Sequence, residues 1–472
     1  MAALRRPSLG TAIGACVVAA GWLIGLRSLT DNSFFSHLAT GRVILDTGRV
    51  PSADAYTFTA HGEPWVVQSW LASWLYATVE AIAGASGLRL LVGLVMAALV
   101  ALAWRLTRGA ESLLGRLALV GVCIGVGAGL WGERPFMFGL LALACTMLAA
   151  DGELDPRFLV PIAWCWVNVH GSFPLGVAYL VVVAAGRRLD GGSVRAERAA
   201  LSWLVGGVLL GAVGPLGPKV LLFPVELLGR QDVLRNVVEW RSPTFDSLSQ
   251  RLFLLQLVVA ILLLVRRPTY RQGLVLAVFG AAALLSARNV AVASLAILPG
   301  MAVALPAVGT LRSTMRSAIA MPVLVAGVAL ALLGGMARLD RSDYDLGKYP
   351  VGAVAYVEGR GLDLDRHRLA AADLVGNLLG LVHGPAGLVF YDDRFDMFPD
   401  QVTDDHLTLV QAGPGARAVL DRHEIDLVLW DRDGGLSQRL LVDPAWRSLY
   451  ADDGWLLLCR REVDLGGDVG RC

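Results

Sequence analysis

Residues 29–74 read LTDNSFFSHLATGRVILDTGRVPSADAYTFTAHGEPWVVQSWLASW, and the rest of the chain is organised around this stretch. It follows an apolar segment and is far too long for a tight connection, and loops beyond about 12–15 residues are usually functional or disordered. Its residue types indicate a folded segment, because Thr30 or Asp31 can cap a helix and a turn is expected at 51–54. Its tryptophans are of the type found at a lipid–water boundary. We interpret it as a folded loop at the membrane surface and as the main candidate for chemistry.

The composition places the chain in the membrane. Of its 472 residues, 55% are hydrophobic and 17% are charged, whereas soluble domains carry about 25% charged residues. Several apolar runs approach the ~20 residues that cross a bilayer. The net charge of +1 gives no reason to expect nucleic acid as a partner. The predicted fold class is an all-α polytopic membrane bundle with a small C-terminal α/β soluble domain.

Apolar length predicts roughly eleven transmembrane helices. The segment 66–83 is also long enough, but it carries Gln68 and Glu80. If it lies in the interface or re-enters, and the N-terminus is cytoplasmic, every later arginine cluster falls on the cytoplasmic side, as the positive-inside rule requires. The loops at 131–135, 166–171 and 287–289 then face outward. The predicted spans are 9–29, 88–104, 115–131, 135–150, 158–169, 172–186, 199–214, 251–266, 272–287, 289–305 and 319–337.

The domain division follows the fall in hydrophobicity after Ala337. We expect a transmembrane domain at 1–339, including a first extracytoplasmic loop at 30–87, and an extracytoplasmic α/β domain at 340–472. The last domain is predicted to contain strands at 387–393, 425–431 and 455–461 and helices at 366–382, 404–422 and 434–442. The six cysteines form no CxxC motif and no Cys/His cluster, so neither a disulfide framework nor a zinc site is expected.

Three residues of the opening stretch are candidates for the site. Asp31 could accept a proton from an incoming hydroxyl as a general base, or it could simply cap a helix. Asp54 could be a second carboxylate of the site, or a turn residue. His37 could bind a phosphate or substrate, or pack against its neighbours.

Further candidates lie at the ends of predicted spans. Arg134 and Arg288 could make bidentate bonds to a phosphate, although Arg134 could also pair with Glu133. Asn289 follows Arg288, and Asn168 and His170 interrupt a hydrophobic hairpin, where a plain turn is the alternative. Polar groups at membrane depth tend to mark substrate paths. Together these are the predicted substrate-binding residues.

Other motifs add little. The pair Asp392-Asp393 with Arg394 could bind a cation or a sugar, or form a solvated strand end. No Walker A, GxGxxG, HExxH or GxSxG motif with a plausible context occurs, which argues against a nucleotide-driven pump, a Rossmann enzyme or a membrane metalloprotease.

Several motifs resemble one family of bacterial multispan proteins. The pattern His37-Leu-Ala-Thr-Gly-Arg42, then Pro51-x-x-Asp54-x-Tyr56-Thr, then Pro64-Trp65 and Trp70-Leu71, resembles the first extracytoplasmic loop of GT-C-type glycosyltransferases near the polyprenyl-phosphate-dependent mannosyl- and arabinosyltransferases. The dipeptide at 134–135, WVNVHGSF at 166–173 and FYDDRFDMFP at 390–399 resemble later landmarks of the group. An Asp-Asn pair stands where many relatives have two acids. The Trp-Trp-Asp signature of oligosaccharyltransferases is absent.

The resemblance implies a membrane glycosyltransferase that moves a sugar from a polyprenyl-phosphate donor to a cell-envelope acceptor on the outer face. The acceptor class (glycan, lipid or protein) stays open. Asp31 matches the catalytic acid of the first loop. No cofactor is expected, because arginines can neutralise the leaving phosphate without a metal. The expected location is a bacterial inner membrane. The alternatives are a non-catalytic scaffold of the cell envelope and a lipid or solute transporter.

Overall fold

The computed structural model describes residues 7–230, 238–306, 311–312, 314–315, 317–362, 364–466 and 470–472. The chain folds as two compact units. The membrane unit consists of Met1–Leu29 and Val79–Asp343, and the mixed unit consists of Thr30–Thr78 and Tyr344–Cys472. The segment 30–78 therefore belongs with the C-terminal region, whereas the sequence analysis placed it in the transmembrane domain.

The membrane unit is helical. Hydroxyl side chains cap several helix starts: Ser112, Ser247 and Thr269 each accept the backbone N–H three residues further on, as expected of N-cap residues. Its helices are α1 (Leu9–Gly25), most of α3 (Trp70–Leu106), α4 (Leu113–Ala128), α5 (Phe136–Ala150), α6 (Leu159–Val169), α7 (Pro174–Leu189), α8 (Arg195–Leu210), α9 (Lys219–Gly229), α10 (Leu248–Arg266), α11 (Tyr270–Leu285), α12 (Val290–Ala296), α13 (Leu298–Ala304) and α14 (Ala320–Leu339).

The prediction of eleven membrane spans is wrong, because too few of the described helices are long enough to cross a membrane. Within the described residues, three helices are long and apolar enough to cross a membrane, or four if a pair bent by 41° counts as one span. The three are α3 with its following turn, α10 and α14, and the bent pair is Ala287–Ala296 with Leu298–Ala304. Most predicted spans do fall on helices, but those helices have only 11–17 residues. Their apolar runs continue into turns, which a count of apolar residues includes.

The segment 66–83, expected to lie in the interface or to re-enter, is mostly helical, and its position in the membrane stays a prediction. Its helical part begins at Trp70 and continues through Gly84 into α3, which ends at Leu106. Gly84 has φ 64° and ψ −166°, a conformation that is open to glycine because it lacks a Cβ atom. The helix is therefore broken at one glycine, and both parts form a single candidate span by length and composition.

The mixed unit combines helices with a four-stranded sheet. The strands lie in the order β1 (Leu369–Ala371), β2 (Leu427–Asp431), β4 (Trp455–Arg460) and β3 (Trp446–Ala451). β1 and β2 are parallel, and the other two pairs are antiparallel. The helices of this unit are α2 (Asn32–Thr47), the start of α3, α15 (Val351–Gly359), α16 (Asp373–His383), α17 (Asp400–Val410), α18 (Ala416–Arg422) and α19 (Gly435–Leu441).

The secondary structure predicted for the C-terminal region is partly confirmed. The strands at 425–431 and 455–461 and the helix at 434–442 match β2, β4 and α19. The predicted strand 387–393 is wrong: its only ladder contact in the described structure is an isolated bridge from Val389 to Thr57. The first part of the predicted helix 366–382 forms β1 instead, because Leu369–Ala371 pairs in register with Leu427–Leu429.

A disulfide joins Cys459 to Cys472, with 6.3 Å between the Cα atoms. This separation lies in the usual range for bonded cysteines. The sequence analysis expected no disulfide framework, and for this pair it was wrong. The two cysteines are 13 residues apart and make no short motif, so only the return of the chain end to β4 reveals them.

Candidate functional site

Three turns of the membrane unit come together, and each of them lies next to the end of a helix. They are the turn before α5, the turn between α6 and α7, and the 3₁₀ turn Ala287–Asn289 between α11 and α12. A fourth segment, the 3₁₀ turn Val238–Trp240, joins them through a hydrogen bond from the Ser286 hydroxyl to the Glu239 carbonyl at 3.2 Å. We call the side chains gathered here the arginine cluster: Arg134, Phe136, His170, Glu239, Trp240 and Arg288.

The centre of the arginine cluster is the contact between Arg288 and His170. Nη2 of Arg288 lies 3.0 Å from Nε2 of His170. A guanidinium can only donate, so the ring nitrogen accepts this bond. On the other side of the ring, Nδ1 lies 3.1 Å from the backbone N–H of Ser172. A guanidinium carries five N–H donors, and those that do not bind His170 can bind an anionic oxygen, such as that of a phosphate.

Aromatic rings hold the guanidinium of Arg288 in place. Its Cζ lies 5.3 Å from the ring centre of Trp240 and 5.8 Å from that of Phe136. The Phe136 ring also meets the His170 ring edge-on at 5.4 Å. These cation–π and ring contacts restrict the orientation of the guanidinium and of the His170 ring, so a ligand would meet a preformed arrangement.

The charges of the arginine cluster sum to a positive value. Arg134 pairs with Glu239, and both are close enough to Arg288 for their charges to act on it. The neighbouring Glu133 pairs with Arg27 at 3.6 Å. The two arginines of the cluster outnumber its one carboxylate, Glu239, so the cluster carries positive charge that can attract an anion.

The two asparagines predicted as ligands make helix contacts instead. Nδ2 of Asn168 donates to the carbonyls of Trp164 and Gly211, at 2.9 Å and 3.2 Å. Nδ2 of Asn289 donates to the Ala282 carbonyl at 3.1 Å. These bonds connect α6 with the end of α8 and close the end of α11. They give both amides a structural task, and their role as ligands stays a prediction.

Asp31 and His37 lie in the mixed unit. Asp31 is the N-cap of α2, and its Oδ1 accepts the Phe34 N–H at 3.2 Å. His37 follows on the same helix, with Nδ1 3.2 Å from the Ser73 hydroxyl. Gly41 lets α2 approach this region closely, since a Cβ there would lie 1.9 Å from the Ser73 carbonyl oxygen. The cap that the sequence predicts is therefore present, and a base at the same carboxylate stays a prediction.

Asp54 is the centre of a buried ion-pair network. It is 2% exposed and accepts the backbone N–H of Thr57 at 3.0 Å and its hydroxyl at 2.6 Å. Nη2 of Arg394 lies 2.8 Å from one Asp54 oxygen and 2.6 Å from Oδ2 of Asp392. The expectation of a solvated strand end at 392–394 is thus wrong, because Asp392 and Arg394 are buried.

The Arg394 guanidinium also lies between two rings of the opening stretch. Its Cζ is 4.8 Å from the ring centre of Tyr56 and 4.4 Å from that of Trp65. Burial raises the pKa of Tyr56 to about 12, against the opposing charge of Arg394, so its phenol stays protonated. The motifs at 51–65 and 390–399 are therefore one packed network, and this packing accounts for an acid at position 54 without catalysis.

Sequence reasoning missed half of the arginine cluster. Glu239 and Trp240 follow a proline-rich stretch of the chain, and Phe136 is one apolar residue in a run of them. The available signal was the charged pair Glu239 and Arg241 flanking a tryptophan between two apolar spans. Among the described residues, no group of three His, Cys, Asp or Glu side chains is placed to hold a metal ion.

The fold is similar to solved structures of membrane glycosyltransferases. The oligosaccharyltransferase of Archaeoglobus fulgidus in its apo form has a TM-score of 0.57 at 11% identity, over 89% of this chain and 69% of that chain. AglB, the archaeal oligosaccharyltransferase from the same organism, in complex with an inhibitory peptide and a dolichol-phosphate, gives 0.53 with the same identity and coverage. The arabinofuranosyltransferase AftD from mycobacteria gives 0.47 at 14% identity, over 97% of this chain and 40% of that chain.

No protein-family model and no curated protein sequence matches the chain. At 11% identity, the structural similarity establishes the fold alone. That fold is the GT-C type, so the architecture expected from the resemblance is confirmed. With its apolar helices, the chain is a multi-pass membrane protein.

Proposed function

We propose that this chain, which has the fold of the GT-C-type glycosyltransferases, transfers a sugar from a polyprenyl-phosphate donor to an acceptor of the bacterial cell envelope. The observation that carries the proposal is the guanidinium of Arg288, which is held by His170 and by two aromatic rings in a cluster with net positive charge. The likeness to an enzyme solved with a dolichol-phosphate supports a lipid-linked donor. The absence of the Trp-Trp-Asp signature argues against peptide glycosylation by the oligosaccharyltransferase route.

The arginine cluster is assigned to the leaving phosphate. When the bond between the anomeric carbon and the phosphate oxygen breaks, the phosphate gains negative charge. Arg288, oriented by His170, would donate to that oxygen from its other N–H groups, while Arg134 would add positive charge nearby. Preorganised donors aimed at developing charge are a major source of rate enhancement. Arginines can supply this stabilisation through fixed N–H groups.

The base is assigned to Asp31, following the resemblance of the first loop. Its carboxylate would take the proton of the acceptor hydroxyl as that oxygen attacks the anomeric carbon and the phosphate leaves. The configuration of the sugar is inverted in a single displacement of this kind. A positioned general base contributes typically 10²–10⁴-fold to a rate.

The reaction is proposed for the outer face of a bacterial inner membrane. The disulfide Cys459–Cys472 in the mixed unit supports this location, because disulfides persist in oxidising compartments and are rare in the cytosol.

A binding measurement tests the assignment of the phosphate site. Polyprenyl phosphate is titrated into the purified protein in nanodiscs, for the wild type, Arg288→Gln and Arg188→Gln. Loss of a hydrogen bond to a charged group costs about 1.5–3 kcal/mol, so Arg288→Gln is expected to weaken binding by roughly 10- to 150-fold. Arg188 is an exposed arginine of the membrane unit, and its variant controls for loss of charge. Equal affinity of all three proteins would contradict the proposal.

A non-catalytic scaffold is the second candidate. The observation in its favour is that Asp31 has a complete structural task as the cap of α2, next to Asn32 where many relatives have an acid. A scaffold needs the cap and not the base. Replacing Asp31 by asparagine separates the two, because asparagine caps a helix as well as aspartate does.

A further inference from the structure

A cavity of about 240 Å³ lies in the membrane unit, among α7, α10, α11 and α13. It is lined by the first two turns of α11, whereas Arg288 follows the end of that helix. From Leu276, the last residue of α11 that lines the cavity, to Leu285 at the end of the helix is nine residues, or about 14 Å at 1.5 Å per residue. The cavity is larger than the ~150 Å³ cavity that accommodates benzene in an engineered protein core. It is therefore a separate site with room for a hydrocarbon chain.

The inner wall of this cavity is apolar and shielded from the surroundings. Ala260, Leu263, Val275, Ile297 and Met301 line it, and each is less than 9% exposed. Such a wall offers dispersion contacts to an apolar occupant and no hydrogen bonds. The buried part of a ligand that fits here is consequently hydrocarbon.

The polar residues of the cavity are confined to one end, where helices stop and start. Asp151 follows α5 and pairs with Arg271. Asp190 follows α7 and accepts the N–H groups of Tyr270 and Arg271, at 2.8 Å and 2.9 Å, at the start of α11. Their charges are thus matched by a cation and by a helix N-terminus. An occupant would have its polar end here and its apolar end inside.

One cation is placed at the margin of the cavity. Nη1 of Arg267 donates to the Val303 carbonyl at 3.3 Å, and Val303 both lines the cavity and is 55% exposed. Arg267 is exposed, and its fork offers further N–H donors to a phosphate. The exposed margin at Val303 provides lateral access, next to α10, which is one of the candidate membrane spans.

We propose that the cavity binds a glycerophospholipid, with one acyl chain inside and the phosphate beside Arg267. Three features select this occupant: the hydrocarbon wall, the polar groups at one end only, and a guanidinium at the margin that faces the bilayer. The lipid fills space between four helices and so stabilises their packing. This inference is independent of the sugar-transfer proposal, because no residue of the arginine cluster takes part in it.

Photo-crosslinking tests the proposal. The probe is phosphatidylglycerol with a diazirine near the end of one acyl chain, present as a minor component of nanodiscs that hold the full chain. We expect crosslinks at the shielded residues Val275, Ile297 and Met301. Crosslinks are also expected at Leu262 and Leu285, which are 64% and 73% exposed and therefore report contact with bulk lipid. Crosslinks at the exposed pair alone would overturn the proposal.

Matched variants test the binding of the acyl chain and the binding of the phosphate separately. Ala260→Phe fills the cavity and is expected to reduce the shielded crosslinks at least fivefold, whereas Ala281→Phe, at an exposed position of α11, leaves them unchanged. Arg267→Gln is expected to lower them about threefold, with Arg266→Gln, an exposed neighbour, as control. Should Ala260→Phe fail to fold, two other comparisons decide between the occupants. Labelling of the shielded residues by the phospholipid is compared with labelling by a fatty acid that carries a diazirine, and the wild type is compared with Arg267→Gln. If the fatty acid labels the shielded residues as well as the phospholipid does, and Arg267→Gln has no effect, a phospholipid is the wrong occupant.

Discussion

Nη2 of Arg288 donates a hydrogen bond to Nε2 of His170 at 3.0 Å. This contact brings together two turns that are 118 residues apart in the chain. The Trp240 and Phe136 rings restrict the guanidinium, so its orientation, as well as its charge, is part of the site.

Arg288→Lys tests the importance of that orientation. Lysine keeps the charge but lacks the planar fork, so we expect polyprenyl phosphate to bind about tenfold more weakly than to the wild type, and more tightly than to Arg288→Gln. Arg188→Lys is the control. If Arg288→Lys binds as the wild type does, only charge matters at this position, and the account of an oriented guanidinium is wrong.

Arg394→Met tests the network around Asp54. The substitution leaves Asp54 and Asp392 buried without their cation, and breaking a buried ion pair by removing one partner costs about 3–5 kcal/mol. We expect the free energy of unfolding of the mixed unit, measured by urea-dependent proteolysis, to fall by that amount.

Two further variants control this measurement. Arg447→Met replaces an exposed arginine of the same unit and is expected to have little effect. Combining Arg394→Met with Asp54→Asn and Asp392→Asn removes the unpaired charges and should recover part of the loss. An unchanged free energy of unfolding in Arg394→Met would refute the structural role of the network.

The stability of the mixed unit should depend on pH through His406. Burial lowers the pKa of His406 from 6.5 to about 4, and the ring stacks on Tyr391 at 4.0 Å. The unfolded state therefore binds a proton at a higher pH than the folded state does. Stability is complete above pH 6.5 and is lost as the pH falls towards 4, by about 3 kcal/mol at 1.36 kcal/mol per pKa unit.

Urea-dependent proteolysis at pH 7 and pH 4.5 measures this loss. His406→Gln cannot titrate and is expected to lose less stability between the two values, whereas His61→Gln, at an exposed position, should behave as the wild type. The same loss in His406→Gln as in the wild type would assign the acid sensitivity to other groups.

The disulfide has its own test. Alkylation of the unfolded, unreduced protein should modify four of the six cysteines, and peptide mapping should find residues 459 and 472 joined. Cys472→Ser is expected to expose Cys459 to alkylation, while Cys165→Ser leaves the linked peptide intact. Full alkylation of the unreduced protein isolated from its membrane would contradict the bond and remove its support for an outward-facing mixed unit.

The sequence predicted local features better than lengths and long-range partners. The cap at Asp31 and the strand β2 follow from residue types within a few positions, and both are present. Span number failed because apolar runs do not stop where helices stop: α4 ends at Ala128 after 16 residues, although the predicted span continues to Trp131. The sequence also could not distinguish a catalytic Asp54 from a structural one, since the decisive partner, Arg394, is near the other end of the chain.

The central claim, sugar transfer from a polyprenyl-phosphate donor with Asp31 as base, is tested most directly by measuring that transfer in proteoliposomes with the wild type, Asp31→Asn and Asp31→Ala. The account predicts transfer by the wild type. It also predicts a loss of at least about 100-fold in Asp31→Asn at unchanged stability, and the same loss with about 1 kcal/mol of destabilisation in Asp31→Ala. Transfer by Asp31→Asn at the wild-type rate, or no transfer by the wild type from any polyprenyl-phosphate sugar, would contradict it.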